Sequence, residues 1–125
     1  VPTFDLVGVV LDAPDAQQLG GFYQRLTGWP VRYDEPGWYK IVPTEDADSG
    51  ISFQSEPNYV PPVWPSDTEH QQMQLHLDLL VDDLPAACAH AEECGATIAE
   101  FQPQDAVRVY LDPVGHPFCL FELGG

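Results

Sequence analysis

Positive charge is what this chain most lacks. Its only Lys and Arg, four in all, are Arg25, Arg32, Lys40 and Arg108; they stand against twenty Asp and Glu, for a formal net charge of −16. Such a field repels phosphate backbones and anionic lipid, so nucleic acid and membrane surfaces are not expected partners. A cationic substrate does not follow, because surplus surface acid commonly serves solubility or salt tolerance. Cysteine is sparse too: Cys88, Cys94 and Cys119 form no CxxC pair. Cys88 and Cys94 share one expected helix at a spacing that suits neither a local disulfide nor a metal knuckle. A reducing, cytoplasmic setting is the expectation. No apolar run approaches the roughly 20 residues of a membrane helix, and no stretch resembles a signal peptide. The chain is nonetheless 44% hydrophobic and 11% aromatic over 125 residues, enough for the core of one domain.

What is present falls into two similar halves. Residues 4–11 read as a buried strand, and Asp12, Pro14 and Asp15 mark a helix start. Ala16, Leu19, Phe22, Tyr23 and Leu26 make one helical face, and Gly28 ends it. Gly20 and Gly21 in mid-helix each cost about 1 kcal/mol against Ala, which points to close packing there. Short strands follow at 31–33, 38–42 and 50–54. The order then repeats: a strand at 75–81, a helix from Asp82 and Asp83 with Pro85 in its first turn and Gly95 at its end, and strands at 96–101, 106–111 and 118–123. The same spacing separates Asp15 from Gly28 and Asp82 from Gly95, so a duplicated β-α-β-β-β unit is the simplest account. The expected organisation is one domain over 1–125, with unit 1 at 4–56, a connector at 57–73 and unit 2 at 74–123. The connector carries Tyr59 and Trp64, and loops of that length are usually functional or interface-forming.

Several strings within this frame resemble a known family. Trp64-Pro65, Gln74-Leu75-His76-Leu77-Asp78, Val81-Asp82-Asp83, Gly95-Ala96 and Asp112-Pro113-Val114-Gly115-His116-Pro117-Phe118-Cys119-Leu120 resemble the glyoxalase-like branch of the vicinal oxygen chelate superfamily, the glyoxalase, bleomycin-resistance and dioxygenase group. The resemblance covers essentially the whole chain. It implies an α+β fold in which two tandem βαβββ units form a curled mixed sheet around a pocket, with the helices on the outer face. It does not imply one function, because such folds host lyases, dioxygenases, epimerases and metal-free binding proteins.

Strand alternation then assigns side chains to that pocket. Leu75, Leu77, Leu79 and Val81 pack under the helix, which sends His76 and Asp78 inward. The same reasoning points Val9 and Leu11 outward and Gly8 and Val10 inward. Trp38, Lys40, Ser52, Gln54, Cys119 and Phe121 are placed inward. Taking Val107, Val109 and Leu111 as the outward face leaves Arg108 and Tyr110 inward. The candidate ligand-binding set is thus Trp38, Lys40, Gln54, Trp64, Arg108, Tyr110, Cys119 and Phe121, with His76 and Asp78 as candidate catalytic residues. Lys40 and Arg108 among aromatic side chains suit an aromatic or anionic molecule; alternatively, Arg108 neutralises Asp78.

Metal-using members of the superfamily place His or Glu on the first and last strand of each unit. The matching slots here read Gly8, Ser52, His76 and Cys119, of which only His76 keeps the usual type. No resident cofactor or full metal chelate is expected, leaving at most a weak, open divalent site on His76, Asp78 and Gln54. His116 reads as a turn stabiliser, His70 and His90 as connector and helix-surface residues, and Cys119 as an inert core thiol. Two functions stay open. One is metal-free binding of a small, anionic or aromatic molecule, as in the resistance members, and it is preferred because three of four ligand slots are lost. The other is a lyase or dioxygenase-type enzyme working through His76, with Asp78 as its orienting partner. A homodimer is expected, with Tyr59 and Trp64 near the interface or pocket mouth, because an open sheet has edges to protect.

Overall fold

The computed structural model describes residues 1–123; Gly124 and Gly125, within the expected domain span, lie outside the described residues. The chain divides into two compact units, Val1–Tyr59 and Val60–Gly125, so most of the expected connector belongs to the second. Unit 1 runs β1 (Gly8–Ala13), α1 (Ala16–Thr27), β2 (Val31–Glu35), β3 (Trp38–Ile41) and β4 (Gly50–Ser55). Unit 2 repeats the order with β5 (Leu77–Leu80), α2 (Leu84–Cys94), β6 (Thr97–Ile98), β7 (Val107–Leu111) and β8 (Pro117–Phe121). Each helix is bounded by side-chain and backbone chemistry visible in the sequence. Asp15 accepts hydrogen bonds from the Gln17 and Gln18 amides, and Gly28 closes α1 at φ 71°. Asp83 accepts from the Ala86 amide, and Gly95 closes α2 at φ 114°.

The expected single curled sheet around a pocket is corrected. The strands form two four-stranded sheets, ordered β1-β4-β3-β2 and β5-β8-β7-β6. In each unit the helix is the crossover that lets the first strand pair parallel to the last, and antiparallel ladders then add the two middle strands. Each sheet is therefore a complete, open layer with its own edges, mixed in strand direction. The apolar run at 4–11 enters its strand only at Gly8, where the β4 ladder begins. Upstream of it Phe4 and Leu6 are exposed.

One face of each sheet packs under its own helix. In unit 1, Leu19, Phe22 and Tyr23 of α1 meet Leu11, Tyr39, Ile41 and Phe53, all buried. Tyr23 stacks on Phe53 with ring centroids 5.5 Å apart. Truncating Phe53 to Ala would cost about 3–5 kcal/mol. Gly20 is the place where helix and sheet come closest: a Cβ there would lie 2.1 Å from the Tyr39 ring. In unit 2, Ala91, Tyr110, Phe118 and Leu120 form the buried layer, with Tyr110 stacked on Phe118 at 6.0 Å. Since side chains alternate along a strand, the opposite face of each sheet is left for a cavity.

Candidate functional site

In unit 1 that face carries Gly8 and Val10 from β1, Ser52 from β4, Trp38 and Lys40 from β3, and Tyr33 from β2, lining a cavity of about 690 Å³. The ladders explain the grouping: Val10 lies opposite Ser52, Ser52 opposite Lys40, and Lys40 opposite Tyr33. Between Val31 and Tyr33 the β2–β3 register shifts, and the Arg32 side chain also reaches the cavity. The positive charge here is already engaged. Lys40 is 8% exposed, and its ammonium donates to the carbonyls of Val7 at 3.0 Å and Asp48 at 2.7 Å. Arg32 donates to the Ala47 carbonyl at 3.1 Å and pairs with the Asp48 carboxylate at 3.3 Å. Both cations thus tether the acidic loop at 44–50. Gln54 shares the face in register but is exposed and donates to the Asp12 carboxylate at 3.0 Å.

The unit 2 cavity is smaller, about 350 Å³, and is walled by Trp64, Met73, Val107, Val109, Pro117 and Phe121, with Pro103 at its side. His76, Asp78, Gln104 and Cys119 supply its polar atoms. Trp64 is fixed by its indole N–H, which donates to the Phe101 carbonyl at 3.1 Å, and by its ring 5.9 Å from Phe101. Tyr59 is not among the lining residues of either cavity.

Arg108 and Tyr110 are not in this cavity, and their inward placement is corrected. Val107 and Val109 pair with Phe121 and Cys119 and face the cavity with them. Tyr110 instead lies under α2, 1% exposed, and its hydroxyl donates to the Glu92 carboxylate at 2.7 Å. Arg108 points the same way and donates to the backbone carbonyls of Asp105 at 2.9 Å and Val107 at 3.1 Å. The reason is physical: β7 is covered on both faces, by a helix on one side and an apolar cavity on the other. Its valines satisfy either face, whereas the larger Tyr ring gains most under the helix, where its hydroxyl finds a partner.

The polar end of the unit 2 cavity is a tight group. His76 Nε2 lies 3.1 Å from Asp78 Oδ1. Asp78 sits directly beside Cys119 in the parallel β5–β8 ladder. Donor atoms of His76, Asp78 and Cys119 all fall within 4.8 Å of one another. Burial, then the Asp78 charge and a hydrogen bond to Asp78, push the Cys119 thiol up from its ordinary value. The thiol is therefore a neutral donor to the carboxylate at neutral pH rather than an activated nucleophile. Gln54, expected beside His76 and Asp78, belongs instead to the unit 1 face.

The remaining histidines have structural partners. Asp112 is wholly buried at its side chain, accepts from the Val114 and His116 amides at 3.0 Å each, and pairs with His116 Nδ1 at 2.8 Å. His116 thus locks the turn between β7 and β8. His70 Nδ1 contacts Asp67 at 2.9 Å in the exposed segment before β5.

A family-type metal set fails in unit 1. Gly8 has no side chain to offer, and a Cβ there would meet the Gly50 carbonyl oxygen at 2.9 Å. Ser52 provides only a hydroxyl. Sequence reasoning missed Arg32, Tyr33, Met73, Gln104, Val107 and Val109 as lining residues. The alternation at 31–35 held a signal for Tyr33; nothing local marks the others.

A family model described as a glyoxalase-like domain matches residues 8–121. TnmS3, an antibiotic binding protein from Streptomyces sp. CB03234, is 20% identical, covering 98% of this chain and 98% of its own, with a TM-score of 0.64. A glyoxalase/bleomycin resistance protein/dioxygenase family enzyme from Burkholderia phytofirmans PsJN is 17% identical over 96% of this chain and 99% of its own, with a TM-score of 0.72. A glyoxalase/bleomycin resistance protein from Streptomyces sp. CB03234 is 21% identical over 94% and 99%, at a TM-score of 0.57. At these identities the likeness is one of fold. No curated protein matches the chain.

Proposed function

Because the chain belongs to the glyoxalase-like domain family, we propose that it binds a small aromatic or largely apolar molecule in the unit 2 cavity. The observation that carries this reading is the cavity itself: about 350 Å³, lined mainly by apolar side chains, with the donor atoms of His76, Asp78 and Cys119 grouped within 4.8 Å of one another. That volume lies within the roughly 300–1,000 Å³ of small-molecule sites, and the mixture of walls and few polar anchors is their usual chemistry. Trp64 and Phe121 offer faces for stacking, and His76, Asp78 and Gln104 offer hydrogen bonds that orient the guest. A similar fold serves antibiotic binding in TnmS3, which supports a binding role. An anionic guest gains less support, because Lys40 and Arg32 already satisfy backbone carbonyls and Asp48.

A second reading rests on the His76–Asp78 contact. A carboxylate that orients an imidazole at a cavity wall is the arrangement of a general acid–base, so a lyase-type step through His76 is the alternative. A homodimer belongs to the same proposal, since β2 ends its sheet as an exposed edge strand bearing Val31 and Tyr33.

A thermal-shift screen of small aromatic compounds tests the binding reading. A guest at a hundred times its Kd stabilises the native state by about 2.7 kcal/mol. Val109→Asp, which puts a charge in the cavity wall, should abolish the shift, while Lys40→Gln should leave it. Matched acids and amides should shift equally. Retention of the shift in Val109→Asp, or its loss in Lys40→Gln, would place the ligand elsewhere.

A further inference from the structure

We propose that Gln102 is a positioning residue for the unit 2 cavity: its carboxamide stands in for a strand and holds residues 101–105 as a wall on which release of the guest depends. The β6–β7 ladder that precedes this wall is short. Thr97 lies opposite Leu111 and Ile98 opposite Tyr110, and the Ala99 amide adds one bond to the Val109 carbonyl at 3.0 Å. Beyond Ala99 the chain leaves the edge of β7, and Pro103, with no N–H to give, suits no ladder. The edge of β7 is nonetheless paired at Val109. Gln102 Oε1 accepts from the Val109 amide at 2.8 Å, and Gln102 Nε2 donates to the Val109 carbonyl at 2.8 Å. One side chain thus takes both backbone groups of Val109, as a residue of a neighbouring antiparallel strand would. Nε2 also donates to the Ala99 carbonyl at 2.8 Å, so both ends of the excursion are tied.

The rest of the segment is fastened in the same way. The Phe101 carbonyl accepts from the Trp64 indole at 3.1 Å, and the Gln104 and Asp105 carbonyls accept from the Arg108 guanidinium at 3.4 and 2.9 Å. Phe101, Pro103, Gln104 and Asp105 are exposed, so side-chain hydrogen bonds, not buried apolar packing, keep this stretch in place. Stretches held so lightly open locally without unfolding the domain. Yet Pro103, Gln104 and Trp64 line the cavity, and so does the side chain of Val109, whose backbone Gln102 grips. Release of Gln102 therefore loosens one wall and leaves the sheet intact. A guest that touches this wall favours its docked state, and by linkage a loosened wall weakens the guest. The effect on a guest rests on the binding reading above; the attachment of the wall does not.

Amide exchange followed by NMR on the full-length protein, without a guest, tests the attachment. Gln102→Ala should speed exchange of the Val109 amide and the Trp64 indole N–H at least tenfold. Val81, whose amide donates to the Phe121 carbonyl at 2.9 Å, should keep its rate. Gln102→Glu should act like Gln102→Ala at neutral pH, because a carboxylate cannot donate to the two carbonyls. Its protonated acid again offers one donor and one acceptor, so protection of Val109, corrected for intrinsic exchange, should return in acid. The docked wall favours that neutral form, so recovery should begin above the ordinary glutamate value of about 4.3. Stopped-flow release of N-phenyl-1-naphthylamine, a neutral aromatic probe, should be at least tenfold faster in Gln102→Ala. Unchanged Val109 exchange in Gln102→Ala, no recovery of Gln102→Glu in acid, or unchanged probe release despite faster exchange would overturn the role. If Gln102→Ala fails to fold, recovery or non-recovery of Gln102→Glu decides alone. If the probe does not bind the wild-type protein, the binding reading fails, and the exchange rates still decide whether Gln102 holds the wall.

Discussion

Two adjacent glycines in α1 should respond in opposite directions to the same substitution. Gly20 and Gly21 both lie in the helix interior, where replacing Gly by Ala is worth about 1 kcal/mol from backbone entropy and propensity alone. At Gly21 the new methyl meets only Arg25 Nη1 at 3.4 Å, the far end of a flexible side chain. The gain should survive, raising the melting temperature by about 3–5 °C for a chain of this size. At Gly20 the methyl would stand 2.1, 2.7 and 2.8 Å from three carbons of the Tyr39 ring. Normal contact needs more than an ångström of displacement from a ring that is 8% exposed and packed near Phe53. Overpacking of this kind costs about 1–3 kcal/mol. The high end applies, because β3 holds Tyr39 in place between two ladders. Net of the helix gain, Gly20→Ala should lose about 2 kcal/mol, so the two variants should differ by about 3 kcal/mol in urea unfolding. Equal stabilisation of both would refute the placement of α1 against Tyr39.

Three further outcomes follow from particular contacts. Burial first, and the Glu92 carboxylate with it, raises the ionisation of Tyr110, and burial ahead of Asp34 raises that of Tyr39. The unfolded chain releases these protons at its ordinary tyrosine value near 10 while the native state keeps them. Stability should therefore be intact below about pH 10 and fall as pH rises beyond it; Tyr110→Phe should flatten that fall in pH-dependent denaturation, and an unchanged slope would contradict it. Lys40→Met removes two charge-assisted bonds, each worth about 1.5–3 kcal/mol, from the Val7 and Asp48 carbonyls. Proteolysis within 44–49 should then accelerate at native pH, and wild-type cleavage rates would show the tether to be idle. Asp83→Ala strips the α2 N-cap bond to the Ala86 amide and should cost about 1 kcal/mol in thermal unfolding; a loss below a few tenths would mean that solvent replaces the cap.

Much of the local order is legible in the residues themselves. Asp15 and Gly28, and Asp83 and Gly95, bound their helices because capping is settled by a few neighbouring atoms. Leu77 and Leu79 betray the helix side of β5, so the face of His76 and Asp78 follows from alternation alone. The close approach at Gly20 is written in the cost of a mid-helix glycine. Strand ends are less legible: residues 4–7 are as apolar as a strand but have no ladder beside them, since β4 begins opposite Gly8.

Tertiary structure decided the rest, and the reason is long-range pairing. Alternation cannot phase β7, because valine suits both the helix face and the apolar cavity face; the place of Tyr110 is decided by α2, whose Glu92 takes its hydroxyl. The lysine on the cavity face of β3 was readable, yet its engagement by the Val7 and Asp48 carbonyls depends on how two loops return to it. Two separate sheets instead of one curled layer follow from which strand completes which ladder. Cys119 reads as an isolated core thiol in sequence. A parallel ladder between strands far apart in the chain sets it beside Asp78, and so brings three side chains that alternation could only assign to one face within 4.8 Å of one another.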